Sequence, residues 1–416
     1  MSFLNFNLNN NLQDAIKNSN FITPTPIQQK VIPLILQQKD IMAKAQTGSG
    51  KTASFVLPIL ELFSQDIKQG KAKIQALILT PTRELTLQVA NEFTQFSKDF
   101  TYKPKVVSLI GGQGISQQLY DIQKGSHIVV ATSGRLLDII DKKQINLSHL
   151  KFFVLDEADK MLDLGFAVEL EQILKQLPQK RQNLMFSATY PPKMLDIAKH
   201  ITTDAIEVSI DDEQSPTLDN IEQIAINVNK HNRSALLRHL LKTNNWEKTI
   251  VFMANKRAAD NIAVKFRKYG FKADSFHGDL FQEERIITLD EFKNGKLNIL
   301  FCTDIASRGL DIDDISCVVN FDLPRGPTTY IHRIGRTARA GKKGTAISFI
   351  DHEDIDHFNL IQKKCKLDLK PQQIKGFELT GNAPIKQKGN PPIKGKRKSK
   401  KDKLREQNAK DTQKSN

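Results

Sequence analysis

Short apolar runs alternate with helix-period stretches along most of the chain. In the first half, residues 40–43, 76–80, 105–110, 127–131, 152–155 and 183–187 read as strands. Most are near-continuous apolar runs, the pattern expected of strands buried on both faces. Amphipathic stretches such as residues 84–96 lie between them. This alternation predicts a parallel sheet covered by helices on both sides. At residues 209–220 the text becomes SIDDEQSPTLDN, which is polar, acidic and interrupted by proline, as in an interdomain linker. The strand pattern then restarts at residues 221–228, 249–253, 297–302, 317–321 and 345–350. After about residue 376 the periodicity fades, and from residue 384 the chain is rich in Lys, Gln, Asn and Pro, a composition that does not build a core. The expected organisation is α/β: two parallel-sheet domains in tandem, residues 1–208 and 220–376, joined by a short linker at 209–219 and followed by a disordered basic tail at 377–416. The halves share a pattern but no obvious sequence repeat.

Composition sharpens this picture in two ways. The 416 residues carry a formal charge of +15, which favours a polyanionic partner. Residues 386–416 hold twelve basic and three acidic side chains, so +9 of that excess lies in the tail. The segment KGKRKSKKDKLR, residues 394–405, holds most of it and suits non-specific contact with a polyanion. Cys302, Cys317 and Cys365 form no CxxC pair, which argues against a disulfide framework or a zinc site. A reducing cytoplasm is the expected compartment. The opening residues MSFLNFNLNN lack a basic segment followed by an apolar one, and no signal peptide or membrane span is expected,.

The strongest chemical signal is AQTGSGKT, formed by Ala45, Gln46, Thr47, Gly48, Ser49, Gly50, Lys51 and Thr52. It follows a short strand pattern and opens a helical one. A glycine-rich turn at a helix start aims backbone N–H groups and the helix dipole at phosphates. Lys51 then reaches the β- and γ-phosphates, and the Thr52 hydroxyl ligates Mg²⁺. A second signal stands about a hundred residues on: the apolar strand 152–155 ends in Asp156-Glu157-Ala158-Asp159. Acidic groups at the carboxyl end of a parallel strand suit a nucleotide metal. Asp156 can hold Mg²⁺ directly or through water, and Glu157 can orient and deprotonate an attacking water.

With both signals in place, residues 3–377 resemble the DEAD-box RNA helicases of helicase superfamily 2, with a layout similar to the bacterial RhlE branch. The resemblance implies two RecA-like domains, ATP and Mg²⁺ as cofactors, and RNA as partner. In FITPTPIQ it implies that Phe21 stacks on adenine and that Gln28 bonds the base edge, with Phe6 as the upstream aromatic. Ser187 and Thr189 of Ser-Ala-Thr correspond to the family's coupling motif. In YIHRIGRTARAG, residues 330–341, Arg336 and Arg339 correspond to arginine fingers, with Ala338 where the family has glycine. In FCTDIASRGLD, residues 301–311, Gly309 lies near the γ-phosphate and Asp311 bonds the ribose.

The same resemblance implies an RNA track. In the first domain it comprises Pro81 and Arg83, Gly112, and Thr132, Gly134 and Arg135, with Ser133 replacing the usual proline. In the second it comprises Asn255, Lys256, Gln282, Arg285 and Thr303. Hydroxyls, amides and basic groups of this kind hold phosphates and 2′-hydroxyls without reading sequence. The function expected is an ATP-dependent RNA helicase that unwinds short duplexes or remodels ribonucleoprotein. Two alternatives are an ATP-gated RNA clamp with little unwinding and a DNA-directed enzyme. Ribosomal precursors and the RNA decay machinery are candidate contexts, and the protein is expected to act as a monomer.

Overall fold

The computed structural model describes residues 2–19, 21–45, 48–66, 72–210, 220–304, 312, 315–338 and 342–382. Thirteen strands are assigned: β1 (Ile41–Lys44), β2 (Ala76–Thr80), β3 (Val106–Leu109), β4 (Ile128–Thr132), β5 (Phe152–Leu155), β6 (Gln182–Ser187), β7 (Ile206–Ser209), β8 (Ile221–Asn227), β9 (Thr249–Phe252), β10 (Ala273–Phe276), β11 (Ile299–Cys302), β12 (Cys317–Asn320) and β13 (Gly344–Ile350). They form a seven-stranded sheet, β3-β4-β2-β5-β6-β1-β7, and a six-stranded sheet, β10-β11-β9-β12-β13-β8. The strand pairings in both are parallel. The predicted two-domain α/β architecture is therefore present. Two strands escaped the sequence reading, β7 and β10. Both are short, and β7 is a half-exposed edge strand with the pattern IEVS.

Burial on both faces explains the apolar runs. Ile78, Val154 and Leu184 point into one core with Val31, Phe55 and Phe93. Their neighbours Leu77, Leu79, Phe153, Leu155 and Met185 point into the other, with Met161, Leu170 and Met194. A few helices are capped by a side chain at the residue before them. Thr82 Oγ1 accepts from the Leu85 amide at 3.3 Å and opens the helix Arg83–Phe96, a capping contact that contributes about 1 kcal/mol. The N-terminal segment closes the first core with Phe3, Phe6, Leu8 and Leu12, anchored where the Asn9 side chain and amide both donate to Glu61 Oε2 at 2.7 Å.

The C-terminal boundary expected at residue 376 does not match the packing. Gln372 bridges to Ile226 of β8, Phe377 packs against the second core, and the Thr380 amide donates to Asn229 Oδ1 at 2.9 Å. The segment lacks periodicity because it lies along a sheet edge as an irregular strap, not because it is unfolded. The tail beyond it and most of the expected linker lie outside the described residues.

Candidate active site and nucleic-acid interface

Parallel strands deliver everything that follows them to one edge of the sheet. In the first domain β5, β6 and β1 are adjacent, so the Asp156–Asp159 turn, the Ser-Ala-Thr turn and the glycine-rich loop converge there. Gly48 and Gly50 have φ of +84° and +87°, a conformation that glycine adopts without strain. Lys51 begins the helix Lys51–Asp66. It is buried, and its Nζ donates to the Ala45 carbonyl at 2.6 Å. A Cβ at Gly50 would lie 2.6 Å from Gln28 Nε2, which donates to the Gly50 carbonyl at 3.1 Å. Gln28 Oε1 meanwhile accepts from the Thr25 amide at 2.9 Å. Gln28 therefore braces the phosphate loop and keeps one further N–H and one lone pair for a base edge. Gln46 and Thr47 lie outside the described residues.

The acidic cluster is buried and charged from several sides. Burial raises the Asp156 carboxyl to about 6, with Lys51 pulling downward and Glu157 upward. Burial also pushes Glu157 up, but Lys160 and Lys51 outweigh it and hold that carboxyl below its ordinary value. Glu157 has φ +51°, in the left-handed region, and ion-pairs with Lys160. Asp159 takes no part in that pair. Its carboxylate accepts from the Thr189 amide at 3.0 Å and the Thr189 hydroxyl at 2.9 Å. Its amide donates to Ser187 Oγ at 3.1 Å, while the Ser187 carbonyl accepts from the Ala45 amide at 3.0 Å. Ser187 and Thr189 thus connect the acidic turn to the phosphate loop.

The second domain supplies the opposing wall. Arg333, on the helix Pro327–Ile334, donates to Asn320 Oδ1 at 3.0 Å, the Asp322 carbonyl at 2.7 Å and Asp304 Oδ2 at 2.8 Å. These contacts pin the helix that carries Arg336 just beyond its end. Arg336 is buried, and its charge acts on both Glu157 and Lys160 across the cleft. Ala338, expected to be tolerated in place of glycine, has φ +58°, a conformation that costs a non-glycine residue about 1–2 kcal/mol. Arg339, Gly309 and Asp311 lie outside the described residues.

The adenine side holds a residue that the sequence reading missed. Phe21 is 39% exposed, and its ring is stacked on Phe3 at 6.2 Å and tilted against Phe96 at 5.7 Å. Phe6, expected as the upstream aromatic, instead meets Phe3 edge-on at 5.9 Å. Both rings are buried in the same core, and it is the Phe3 ring that reaches Phe21.

The expected RNA residues follow the ends of β2, β3, β4, β9 and β11, the same edge in each sheet. Pro81 is buried in the turn after β2. Arg83 lies over the glycine doublet, where a Cβ at Gly112 would meet its Nη1 at 2.3 Å. Burial lowers the Arg83 guanidinium, with Arg285 next in effect. Thr132 stands just before the helix Ser133–Asp141 and donates its hydroxyl to the Leu109 carbonyl at 3.4 Å; Gly134, the second residue of that helix, is exposed, and Arg135 donates to the Gln113 carbonyl at 3.0 Å. Asn255 caps the helix Lys256–Lys268 by accepting from the Ala258 amide at 2.9 Å. Both Asn255 and Lys256 are exposed, and Thr303 follows β11 half-buried. Two residues depart from the expectation. Gln282 and Arg285 are only 1% and 5% exposed and reach across the cleft to Glu84, at 3.5 Å and 2.8 Å. The buried Glu84 carboxylate draws them in, so they join the domains rather than face a phosphate.

The sequence matches the DEAD/DEAH box helicase family over residues 25–197 and the helicase conserved C-terminal domain over residues 232–341. It is 40% identical to the DEAD-box ATP-dependent RNA helicase CshA of Bacillus subtilis over 366 residues, which is 88% of this chain and 73% of that protein.

The chain belongs to the DEAD-box helicases.

Two solved DEAD-box structures are similar to it over nearly its whole length. Saccharomyces cerevisiae Dbp5 bound to RNA and ADP BeF3 is 32% identical, covers 90% of this chain and 95% of its own, and superposes with a TM-score of 0.77. A DEAD-box protein from Methanococcus jannaschii is 41% identical, with 90% and 99% coverage and a TM-score of 0.51. In this DEAD-box chain the contacts of Gln282 and Arg285 with Glu84 join the two domains.

Three outcomes are expected. Lys51→Ala abolishes ATPase activity, while Glu157→Gln keeps ATP binding, lowers turnover at least about a hundredfold and traps an RNA complex. Near-normal turnover of Glu157→Gln in a steady-state assay would refute the assigned role. Ala338→Gly relieves backbone strain and raises stability by up to about 1 kcal/mol. The urea midpoint reads this directly, and a lower midpoint would contradict the strain.

Proposed function

We propose that this protein is an RNA-stimulated ATPase that closes its two domains over one ATP and one RNA strand. Closure distorts a short duplex locally, and hydrolysis followed by phosphate release reopens the cleft. The observation that carries this reading is the contact between the two domains: Arg285 and Gln282 of the second reach Glu84 of the first at 2.8 Å and 3.5 Å, and Arg336 of the second is buried. Catalytic groups divided between two bodies work only when those bodies meet, which makes closure the gate for chemistry.

In this reading Lys51 grips the β- and γ-phosphates, Glu157 accepts the proton of the attacking water, and Arg336 and Arg339 offset charge at the γ-phosphoryl. Phe21 and Gln28 take the adenine, and Gly309 and Asp311 meet the phosphate and ribose. The donor set fits Mg²⁺. Asp156 is a buried carboxylate at a strand end, and the Thr52 hydroxyl stands in the first turn after the loop. Among the described residues no group of three or more His, Cys, Asp or Glu converges, in keeping with an ion that takes one or two protein oxygens and completes its shell with phosphate and water. Held by Asp156 and Thr52, the ion would supply positive charge to offset that developing on the phosphates.

RNA is held largely without regard to sequence by Arg83, Gly112, Thr132, Gly134, Arg135, Asn255, Lys256 and Thr303, and the basic tail adds a non-specific tether. Ribosomal precursors and the RNA decay machinery are the proposed settings, with the protein acting as a cytoplasmic monomer. No helix among the described residues is long and apolar enough to cross a membrane. The branch within the family is also a proposal: the sequence layout is RhlE-like, whereas the relative described above is a CshA protein.

A strand-displacement assay on a short RNA duplex tests the activity. Unwinding with ATP and little turnover with a non-hydrolysable analogue is expected. Tight RNA holding without displacement would favour the clamp, and equal stimulation by DNA of the same length would favour a DNA-directed enzyme. Truncation after Gly381 should weaken RNA binding and flatten its salt dependence. Unchanged affinity at low salt would remove the tether from the account.

A further inference from the structure

Lys160 belongs to none of the recognised motifs, and its position is a costly one for a lysine. It lies in the first turn of the short helix Ala158–Asp163, where the positive end of the helix dipole disfavours a cation. Its side chain is 3% exposed, so the ammonium has lost its water. Burial makes it easier to deprotonate, and Arg336 and Lys51 push in the same direction. What offsets these costs is Glu157, whose Oε1 accepts from Lys160 Nζ. The two oxygens of the Glu157 carboxylate are therefore not equivalent. Oε1 is engaged by Lys160, while Oε2 is buried and accepts no hydrogen bond among the described residues.

We propose that Lys160 is a positioning residue of the ATPase: by holding Glu157 Oε1 it fixes the carboxylate with Oε2 available to the attacking water. The idea rests on the reading of Glu157 as general base. In the step served, the water oxygen bonds to the γ-phosphorus and one water proton passes to Glu157 Oε2. The bond from that phosphorus to the bridging oxygen breaks, and its electron pair leaves on ADP. A glutamate free to rotate would present either oxygen, or neither, and part of the advantage of orientation would be lost. Glu157 is the left-handed residue just before the helix Ala158–Asp163, so its ion pair with Lys160 spans only three residues of backbone. Since Lys160 touches the base and not the nucleotide, its removal should alter turnover rather than binding.

The experiment compares Lys160→Met and Lys160→Arg with the unaltered full chain in RNA-stimulated ATP hydrolysis. Lys160→Met is expected to lose about tenfold or more in kcat with KM for ATP changed by less than about twofold. Its RNA affinity in the presence of ADP–beryllium fluoride should be unchanged. Lys160→Arg, which keeps a cationic donor, should recover most of the rate. In a Glu157→Gln background, Lys160→Met should lower the residual rate no further, as expected for two residues acting through one group. A kcat at or above the unaltered level in Lys160→Met would overturn the proposal, as would an additive loss in the double variant or a matching loss of ATP or RNA affinity. If Lys160→Met does not fold, Lys160→Gln is held to the same criteria. Full turnover by Glu157→Gln would overturn the base assignment along with this proposal. A fast Lys160→Met beside an inactive Glu157→Gln would overturn only the role of Lys160.

Discussion

The central constraint is that charge must be assembled across a gap. Asp156, Glu157, Lys51 and Lys160 stand on one sheet edge, and Arg336 approaches from another domain. In the buried interior of a closed cleft such charges interact far more strongly than they would in water. The acids lower the cost of bringing the cations together, and the cations keep Glu157 ionised. Neither half is electrostatically complete. The joining contacts of Glu84 with Gln282 and Arg285 set the distance at which the two walls meet.

That arrangement also explains how RNA and ATP can communicate. Ser187 and Thr189 tie the acidic turn to the phosphate loop, while Gln28 ties the same loop to the adenine side. Glu84 lies one residue from Arg83 of the RNA track, and its carboxylate reaches the second domain. On the proposed reading, RNA along the strand ends and nucleotide in the cleft would share one set of turns, all hung on parallel strands, and a small displacement at one ligand would be carried by short hydrogen-bonded links.

Much of this was legible in the sequence. The glycine-rich loop, the acidic turn and the tandem sheets followed from apolar runs ending in chemically distinctive residues. What was not legible has physical causes. β7 is half-exposed and carries little apolar signal. Gln282 and Arg285 look like phosphate ligands by type, and only the fold reveals the buried carboxylate that claims them. Phe3 and Phe6 are the same residue type three positions apart, and the turn between them decides which ring reaches Phe21. Lys160 left one usable signal, a lysine three residues after a catalytic glutamate at a helix start, where a lysine would ordinarily be disfavoured. Ala338 is the reverse case: the departure was visible in the sequence, but its cost became visible only with its backbone angle.

The segment that runs along β8 has a consequence for the life of the protein among its own copies. β8 is the outermost strand of its sheet, paired with β13 on one side. On the other side the Asn227 amide donates to the Gln372 carbonyl at 2.9 Å, and the Gln372 amide donates to the Ala225 carbonyl at 2.8 Å. An uncovered margin of this kind would offer free amides and carbonyls to any extended peptide, which is how ordered sheets recruit neighbours and grow into aggregates. By folding its own chain over that margin, the protein shields it at the cost of a few residues, and a concentrated solution of its copies loses one template for uncontrolled assembly.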